Sequence, residues 1–230
     1  MSEIKERLAR LEERICAACE RSGRRREDVL LVAVTKTRTV AEIEEVLAAG
    51  VANIAENFVQ EMQRKYQAIG PRATWHFIGH LQRNKAKAAV GMAQWIHSID
   101  SVRLAREVSK RALAQGKRQR ALIEVNVSGE QTKFGFAPEE LPQVLPELAA
   151  LEGLEICGLM TMAPLVEDPE EVRPIFAQTR ALAEKLQRMG LDGVRMDHLS
   201  MGMTSDFEVA IEEGATMIRV GQAIFGPRPS

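Results

Sequence analysis

Residues 29–36 read Val-Leu-Leu-Val-Ala-Val-Thr-Lys, an unbroken run of mostly β-prone residues that ends in a lysine. A continuous apolar strand is typical of a parallel sheet that is covered on both faces. An open doubly wound sheet usually has a Gly-rich turn after its first strand. Here the strand ends in Thr35-Lys36-Thr37 without a glycine. This stretch therefore favours a closed barrel over the doubly wound alternative.

The rest of the chain repeats an alternation of strand and helix. Apolar, β-prone segments predict eight strands, at 29–35, 51–55, 75–78, 95–99, 121–127, 156–162, 194–199 and 217–220. Helical spacing predicts a helix after each strand but the last, one of them over 138–150 with Pro138 in its first turn, and an extra helix over 2–20. We therefore expect a (β/α)8 barrel of the TIM type with an extra N-terminal helix, forming one domain over residues 1–230.

Composition excludes several classes of protein. The chain has 31 Lys and Arg against 32 Asp and Glu, so it has no general electrostatic reason to bind nucleic acid or a membrane surface. It lacks both an apolar signal core and a run long enough to span a membrane, so we expect a cytoplasmic protein. The three cysteines argue against a disulfide framework, and the Cys16-x-x-Cys19 pair has too few companion ligands for zinc. We predict no metal site.

Candidate functional residues lie where predicted strands end, because a barrel has its active site at the carboxyl ends of its strands. Lys36 ends the first strand, where desolvation would free its amine for a Schiff base. The alternative is a rim lysine whose ammonium stays in water. Asn57 follows the second strand and His80 the third. His80 is a candidate acid or base at the mouth, with a structural hydrogen-bonding role as its alternative.

The loops after strands seven and eight have the composition of a phosphate site. The first reads Leu-Ser-Met-Gly-Met-Thr-Ser-Asp at 199–206, and the second reads Arg-Val-Gly-Gln-Ala-Ile-Phe-Gly at 219–226. Glycines let backbone N–H groups approach an anion, and Ser200 and Thr204 add hydroxyl donors. Barrel phosphate sites are commonly built from these two loops. A Schiff-base lysine facing such loops suggests pyridoxal 5′-phosphate (PLP), which needs both handles.

Four segments resemble the YggS/PROSC family of PLP homeostasis proteins, and the resemblance extends over essentially the whole chain. They are Val-Ala-Val-Thr-Lys at 32–36, Trp-His-Phe-Ile-Gly-His-Leu-Gln-Arg-Asn-Lys at 75–85, Leu-Ser-Met-Gly-Met-Thr-Ser-Asp-Phe at 199–207 and Arg-Val-Gly at 219–221. The segment at 75–85 is highly specific. The resemblance implies a barrel similar to the N-terminal domain of alanine racemase, the type III fold of PLP proteins.

The resemblance also implies roles for individual residues. Lys36 would form the Schiff base, Asn57 would lie near the ring or its phosphate, and Arg219 would face the pyridine nitrogen. The phosphate would be held by Ser200, Thr204 and the backbone of Gly221 and Gln222. A guanidinium has no acceptor, so Arg219 would leave the ring nitrogen unprotonated and make the ring a weaker electron sink.

A second lysine, Lys133, lies in Gln-Thr-Lys-Phe-Gly-Phe at 131–136, where the family has been linked to cofactor transfer. From the residues alone, Lys133 follows strand five and could face the mouth, and a solvated loop lysine is the alternative.

The function implied is that of a carrier or regulator, which keeps free PLP low and supplies it to apo-enzymes without robust catalysis. The alternative is a PLP-dependent amino-acid racemase, which borrows a tyrosine from a C-terminal domain. This chain ends at Ser230, just past strand eight, and its single tyrosine, Tyr66, falls on a predicted surface helix. We expect a monomer, because the C-terminal domain through which the racemases dimerise is absent from this sequence. A third possibility is a cofactor-free aldolase that uses Lys36 directly on a phosphorylated sugar.

Overall fold

The barrel is closed by eight parallel strands in sequence order, with β1 pairing both β2 and β8. The structure, a computed structural model, describes residues 2–130 and 133–227. The strands are β1 Leu30–Val34, β2 Asn53–Glu56, β3 Thr74–Phe77, β4 Trp95–Ile99, β5 Gln119–Glu124, β6 Leu154–Met160, β7 Val194–Ser200 and β8 Met217–Val220. The predicted barrel is therefore confirmed.

Helices surround the barrel and bury its outer face. They are α1 Glu3–Arg21, α2 Val40–Ala48, α3 Val59–Ile69, α4 Ala86–Met92, α5 Val102–Leu113, α6 Leu141–Ala149, α7 Arg173–Gln187, α8 Phe207–Glu212 and α9 Gln222–Phe225. The extra helix, α1, packs against α8 and α9, and Arg14 forms an ion pair with Glu208 at 3.0 Å. α1 thus closes the helical ring next to the last strand.

Alternate residues along each strand face opposite sides of the barrel wall. In β1, Val32 and Val34 lie in the cluster inside the barrel, whereas Leu31 and Ala33 belong to the larger core between strands and helices. The parity of β1 sets the direction of Lys36, since it lies two residues beyond Val34. Lys36 therefore extends the inward-facing row to the carboxyl ends of the strands.

Several predicted bounds differ from the structure, and one helix was not predicted. Strand five was predicted at 121–127, but β5 ends at Glu124 and Val125 instead forms an isolated bridge with Phe136. The helix predicted over 138–150 begins at Leu141, with Pro142 in its first turn, so the prediction for Pro138 was wrong. A helix of four residues, α9, follows β8, where none was predicted because so short a segment shows no period.

Among residues 2–130 and 133–227, no helix is both long and apolar enough to cross a membrane. Within the same ranges, no group of three or more His, Cys, Asp or Glu side chains is arranged to hold a metal ion. Cys16, Cys19 and Cys157 are free thiols.

Candidate functional site

A cavity of about 530 Å³ opens at the carboxyl ends of the strands. It collects residues from the ends of β1, β2, β3 and β8 and from the loops after β6 and β7. Its lining comprises Val34, Lys36, Arg38, Asn57, Ile78, Met162, Leu165, Met203, Thr204, Ser205, Arg219, Gly221, Gln222, Gly226 and Pro227. Six of the residues predicted from the sequence are thus brought together: Lys36, Asn57, Thr204, Arg219, Gly221 and Gln222.

The charged side chains that line this cavity are all basic. Lys36, Arg38 and Arg219 line it, and no carboxylate does so among the described lining residues. Lys36 is half-buried, and Arg219 is only 3% exposed. A partly buried cleft lined by cations favours an anionic ligand, because charge interactions are stronger where the protein displaces part of the water.

Arg38 is a residue of the site that the sequence analysis missed. Its guanidinium donates to the backbone carbonyls of Phe225, Gly226 and Pro227 at 3.3, 2.7 and 2.9 Å. These contacts tie the chain just after Lys36 to the segment that follows α9. The sequence does contain a signal for Arg38, because it is a second basic residue only two positions after Lys36.

The two candidate phosphate loops are joined to each other. Thr204 Oγ1 accepts a hydrogen bond from the Ala223 N–H at 3.3 Å, and the Arg219 N–H donates to the Gly202 carbonyl at 2.9 Å. The Asp206 carboxylate accepts from the Met203 N–H at 2.5 Å, which helps to fix the first loop. Thr204, Gly221 and Gln222, from the two loops, therefore line one cavity together.

Arg219 is held by two hydrogen bonds in the wall of the cavity. Its Nη1 donates to Ser200 Oγ at 2.7 Å and its Nη2 to the Thr161 carbonyl at 2.9 Å. Burial lowers the pKa of Arg219 to about 10, so the guanidinium stays protonated at neutral pH. Since a guanidinium has five N–H donors, others remain for a ligand.

A chain of hydrogen bonds continues from Arg219 into the barrel. Ser200 Oγ lies 2.9 Å from His97 Nδ1, His97 Nε2 lies 2.9 Å from His76 Nδ1, and His76 Nε2 lies 3.1 Å from Asn53 Oδ1. Asn53 Oδ1 can only accept, so His76 carries its proton on Nε2 and donates to Asn53. His97 then donates from Nε2 to His76, and the Ser200 hydroxyl donates to His97 Nδ1.

Burial keeps both of these histidines neutral. It lowers the pKa of His76 to about 3 and that of His97 well below its usual range. All of these side chains, apart from Asn53, are buried. The barrel is therefore filled below the cavity, and Arg219 rests on a fixed support.

Ser200, His80 and Lys133 do not line the cavity. Ser200 is fully buried, and its hydroxyl already contacts Arg219 and His97. His80 is exposed, with Nδ1 2.9 Å from Asp100 Oδ2 and its ring stacked on Phe134 at 3.8 Å. The sequence does not show how deep each of these side chains lies. The alternation of residues along a strand predicts which side of the barrel wall a side chain faces, but not its height along the barrel axis.

Lys133 lies beside the cavity, with its amine in contact with other groups. Its Nζ donates to Glu130 Oε1 at 2.6 Å and to the carbonyl of Met162 at 3.3 Å. Met162 lines the cavity, so Lys133 is one residue removed from it.

Glu124 is a further buried group that the sequence analysis did not single out. It ends β5 and is 6% exposed. Burial raises its pKa to about 7, the nearby Asp100 carboxylate adds to the rise, and Arg219 opposes it. Its position could have indicated this burial, because Glu124 lies two residues after Leu122, which faces the inside of the barrel.

The donor set fits the cofactor suggested by the sequence. The cavity holds a primary amine on Lys36, a guanidinium on Arg219 and a hydroxyl on Thr204. Asn57 Oδ1 is buried there without a hydrogen-bond partner among the described residues, so it is an acceptor that a ligand donor would satisfy. An amine for an aldehyde, donors for a phosphate and an acceptor for a ring hydroxyl are what PLP requires.

Comparison with known proteins first defines the class, a barrel of the alanine racemase type. The family model of the alanine racemase N-terminal domain matches residues 7–229. An alanine racemase of Clostridium difficile shares this fold, with a TM-score of 0.76 at 18% identity over 100% of this chain and 58% of that one.

More similar proteins narrow the assignment. The pyridoxal phosphate homeostasis protein of Aquifex aeolicus is 46% identical over 97% of both chains, and that of Escherichia coli K12 is 37% identical over 99% of this chain and 98% of its own. The structure of PipY from Synechococcus elongatus with PLP bound matches with a TM-score of 0.85 at 39% identity, covering 97% of this chain and 100% of that one. The chain belongs to the family of pyridoxal phosphate homeostasis proteins.

Proposed function

We propose that this chain binds PLP at the barrel mouth and acts in PLP homeostasis as a carrier and regulator rather than as an enzyme. The observation that carries the proposal is that Lys36, Arg219 and residues of the two candidate phosphate loops line the same cavity. The names of the curated relatives and the PLP bound to PipY support it. Residues 1–230 would then act as one PLP-binding barrel domain.

Lys36 is the proposed covalent anchor. When bound, PLP supplies an aldehyde that condenses with a primary amine and releases water. Lys36 lies two residues beyond the inward-facing Val34 and lines the cavity, which supports this role. Asn57 Oδ1 would accept a hydrogen bond from the ring hydroxyl, which satisfies a buried acceptor.

Thr204 and the backbone of Gly221 and Gln222 are the proposed phosphate donors. They line the same part of the cavity, and the Thr204–Ala223 hydrogen bond keeps the two loops together. Ser200 lies beneath Arg219, so a direct contact between its hydroxyl and the phosphate stays a prediction. Its contacts support a role in fixing the Arg219 guanidinium.

Arg219 is the proposed partner of the ring nitrogen. It can only donate, so it favours a ring nitrogen that has no proton of its own. Its bonds to Ser200 and Thr161 hold the guanidinium in place. This choice of partner weakens electron withdrawal by the ring and supports carriage over carbanion chemistry.

The racemase alternative needs a second base on the other side of the cofactor. Tyr66 is the single tyrosine of the chain, and it lies on α3, where its ring packs on Trp75 with centroids 5.6 Å apart. It does not line the cavity. This placement supports a protein without robust racemase activity.

The proposed partners are PLP and apo-enzymes that depend on it, with no nucleic acid and no membrane. We further propose a cytoplasmic monomer. The net charge of −1 supports the absence of nonspecific binding to polyanions. Lys133, held near Met162, and His80, stacked on Phe134, remain candidates for a transfer or mouth role.

The decisive test mixes PLP-loaded protein with an apo-enzyme and follows the activation of that enzyme. We expect the loaded protein to activate the apo-enzyme faster than free PLP does when the concentration of unbound PLP is the same. We also expect borohydride reduction to attach the cofactor permanently to Lys36. Lys36→Ala is the matched control for the covalent link. Activation no faster than the free-cofactor control contradicts the carrier role, and alanine racemisation at about 1 per second or more would indicate an enzyme instead.

A further inference from the structure

The chain turns sharply around Lys36, and the residue after it has an unusual backbone conformation. Thr35 to Arg38 form a tight turn, in which the Arg38 N–H donates to the Thr35 carbonyl at 3.0 Å. Thr37, the third residue of the turn, has a φ of +64° and is the one non-glycine residue with positive φ among those described. A β-branched residue avoids this region, so neighbouring groups must hold it there.

A buried ion cluster lies directly under this turn. The Lys65 cluster consists of Lys65, Glu56 and Glu61. Lys65 is 6% exposed and Glu56 is fully buried. Lys65 Nζ donates to Glu56 Oε1 and Glu61 Oε1, both at 2.7 Å, and to the Thr35 carbonyl at 2.6 Å. The three donors of the ammonium are therefore all used, one of them on the turn itself.

The two carboxylates hold the turn at two further points. Glu56 Oε1 accepts from Thr35 Oγ1 at 2.6 Å, just before Lys36. Glu61 Oε1 accepts from the Thr37 N–H at 2.6 Å, just after it. The cluster thus fixes both residues that flank Lys36.

Stability alone is a weak reason for such a cluster. A buried ion pair gives up the hydration of its charges, and replacing it with apolar residues is often neutral or stabilising. Its bonds to Thr35 and Thr37 have a more specific effect, since they set the direction in which the intervening side chain leaves the backbone. Such pre-organisation improves binding by reducing the ordering cost when a ligand arrives.

We infer that Lys65, Glu56 and Glu61 are positioning residues that aim the amine of Lys36 into the cavity by fixing the turn around it. The inference rests on the proposed function, in which Lys36 holds PLP. The cluster acts through Thr35 and Thr37, and it need not touch the cofactor. Loss of one of its contacts should therefore change how PLP binds more than how the chain folds.

The test uses Glu61→Ala, which removes the acceptor of the Thr37 N–H, and Glu61→Gln, which keeps an acceptor there. Arg72→Met is the matched control, because it breaks the Arg72–Glu44 pair beyond the far end of α3. Lys65→Met is a second variant, which risks misfolding because it leaves Glu56 buried without its cation. Each protein is titrated with PLP by visible absorbance, the pH midpoint of the bound spectrum is recorded, and unfolding without PLP is followed by heating.

We expect Glu61→Ala to weaken PLP binding by about tenfold and to shift the pH midpoint of the bound spectrum. Glu61→Gln should restore most of the affinity, and Arg72→Met should leave both readouts at wild-type values. If Glu61→Ala loses only thermal stability, with affinity and pH midpoint unchanged, the positioning role is wrong. If the wild type and Lys36→Ala give the same titration, the proposed function fails and this inference fails with it.

Discussion

Glu124 shows how a single buried carboxyl group can make the free energy of unfolding depend on pH. Its pKa is raised to about 7, chiefly by burial, from an ordinary value of 4.5. Between these two values the unfolded chain releases the Glu124 proton while the folded chain keeps it. The contribution of this residue to the free energy of unfolding therefore falls as the pH rises from 4.5 to 7, and it is constant above that range.

Replacing Glu124 with Gln should remove this dependence. We expect the free energy of unfolding of Glu124→Gln, relative to the wild type, to increase by roughly 3 kcal/mol at most from pH 4.5 to pH 7.5. Urea unfolding at a series of pH values measures it, with Glu139→Gln at an exposed position as the control. Parallel curves for Glu124→Gln and the wild type would show that Glu124 titrates normally in the folded protein.

At this scale the sequence predicted which side chains surround the cavity better than it predicted their depth. Predicted strand ends place Lys36 and Arg219 near the mouth, and both line the cavity. Ser200 has the same parity as a mouth residue, yet it lies below Arg219. Height in a barrel depends on the stagger between strands, which is a property of the closed sheet and not of one segment.

Among the elements, the chain segments that follow β2 and β3 approach each other too closely for a side chain at Gly79. A Cβ on Gly79 would lie 2.1 Å from the carbonyl oxygen of Asn57, a backbone atom that cannot rotate away. A side chain there would push apart the two strand ends that carry Asn57 and Ile78 into the cavity. Gly79 is thus required by packing between elements.

Gly79→Ala should lower the free energy of unfolding by about 2 to 3 kcal/mol, because the backbone must move to accept the methyl group. It should also weaken PLP binding through the shift of Asn57. Gly91→Ala is the matched control: it lies in α4, where a Cβ meets only Gln115 Oε1 at 3.8 Å. Since Ala favours helix, the control should gain up to about 1 kcal/mol. Thermal unfolding and PLP titration distinguish the two, and equal behaviour would contradict the packing argument.

The order of elements followed from the sequence, whereas several of their boundaries did not. Long apolar strands and amphipathic helices have clear periods, and all eight predicted strands correspond to strands of the barrel. β5 ends early because Phe136 returns to pair with Val125, a contact between distant segments that local propensity does not reveal. α9 has only four residues, too few for a period to appear.

For the whole molecule, PLP binding should appear as added stability. A ligand that binds only the folded state adds about 2.7 kcal/mol at a concentration one hundred times its Kd. For a chain of this size that corresponds to a rise in Tm of roughly 5 to 10 °C. Lys36→Ala should lose most of this rise.

Lys133→Ala separates the two lysines in the same experiment, since Lys133 lies beside the cavity and not in its lining. We expect it to keep the PLP-dependent rise in Tm. A rise that survives in Lys36→Ala and disappears in Lys133→Ala would move the main site to Lys133.

The cations at the mouth have a consequence for the kinetics of loading. Lys36, Arg38 and Arg219 attract an anion only over short range, because the Debye length is about 8 Å at physiological salt and the whole chain carries a net charge of −1. Added salt weakens this attraction and slows the encounter, whereas departure depends mainly on contacts already formed inside. Uptake, more than release, is therefore the step through which ionic strength sets the balance between free and bound cofactor.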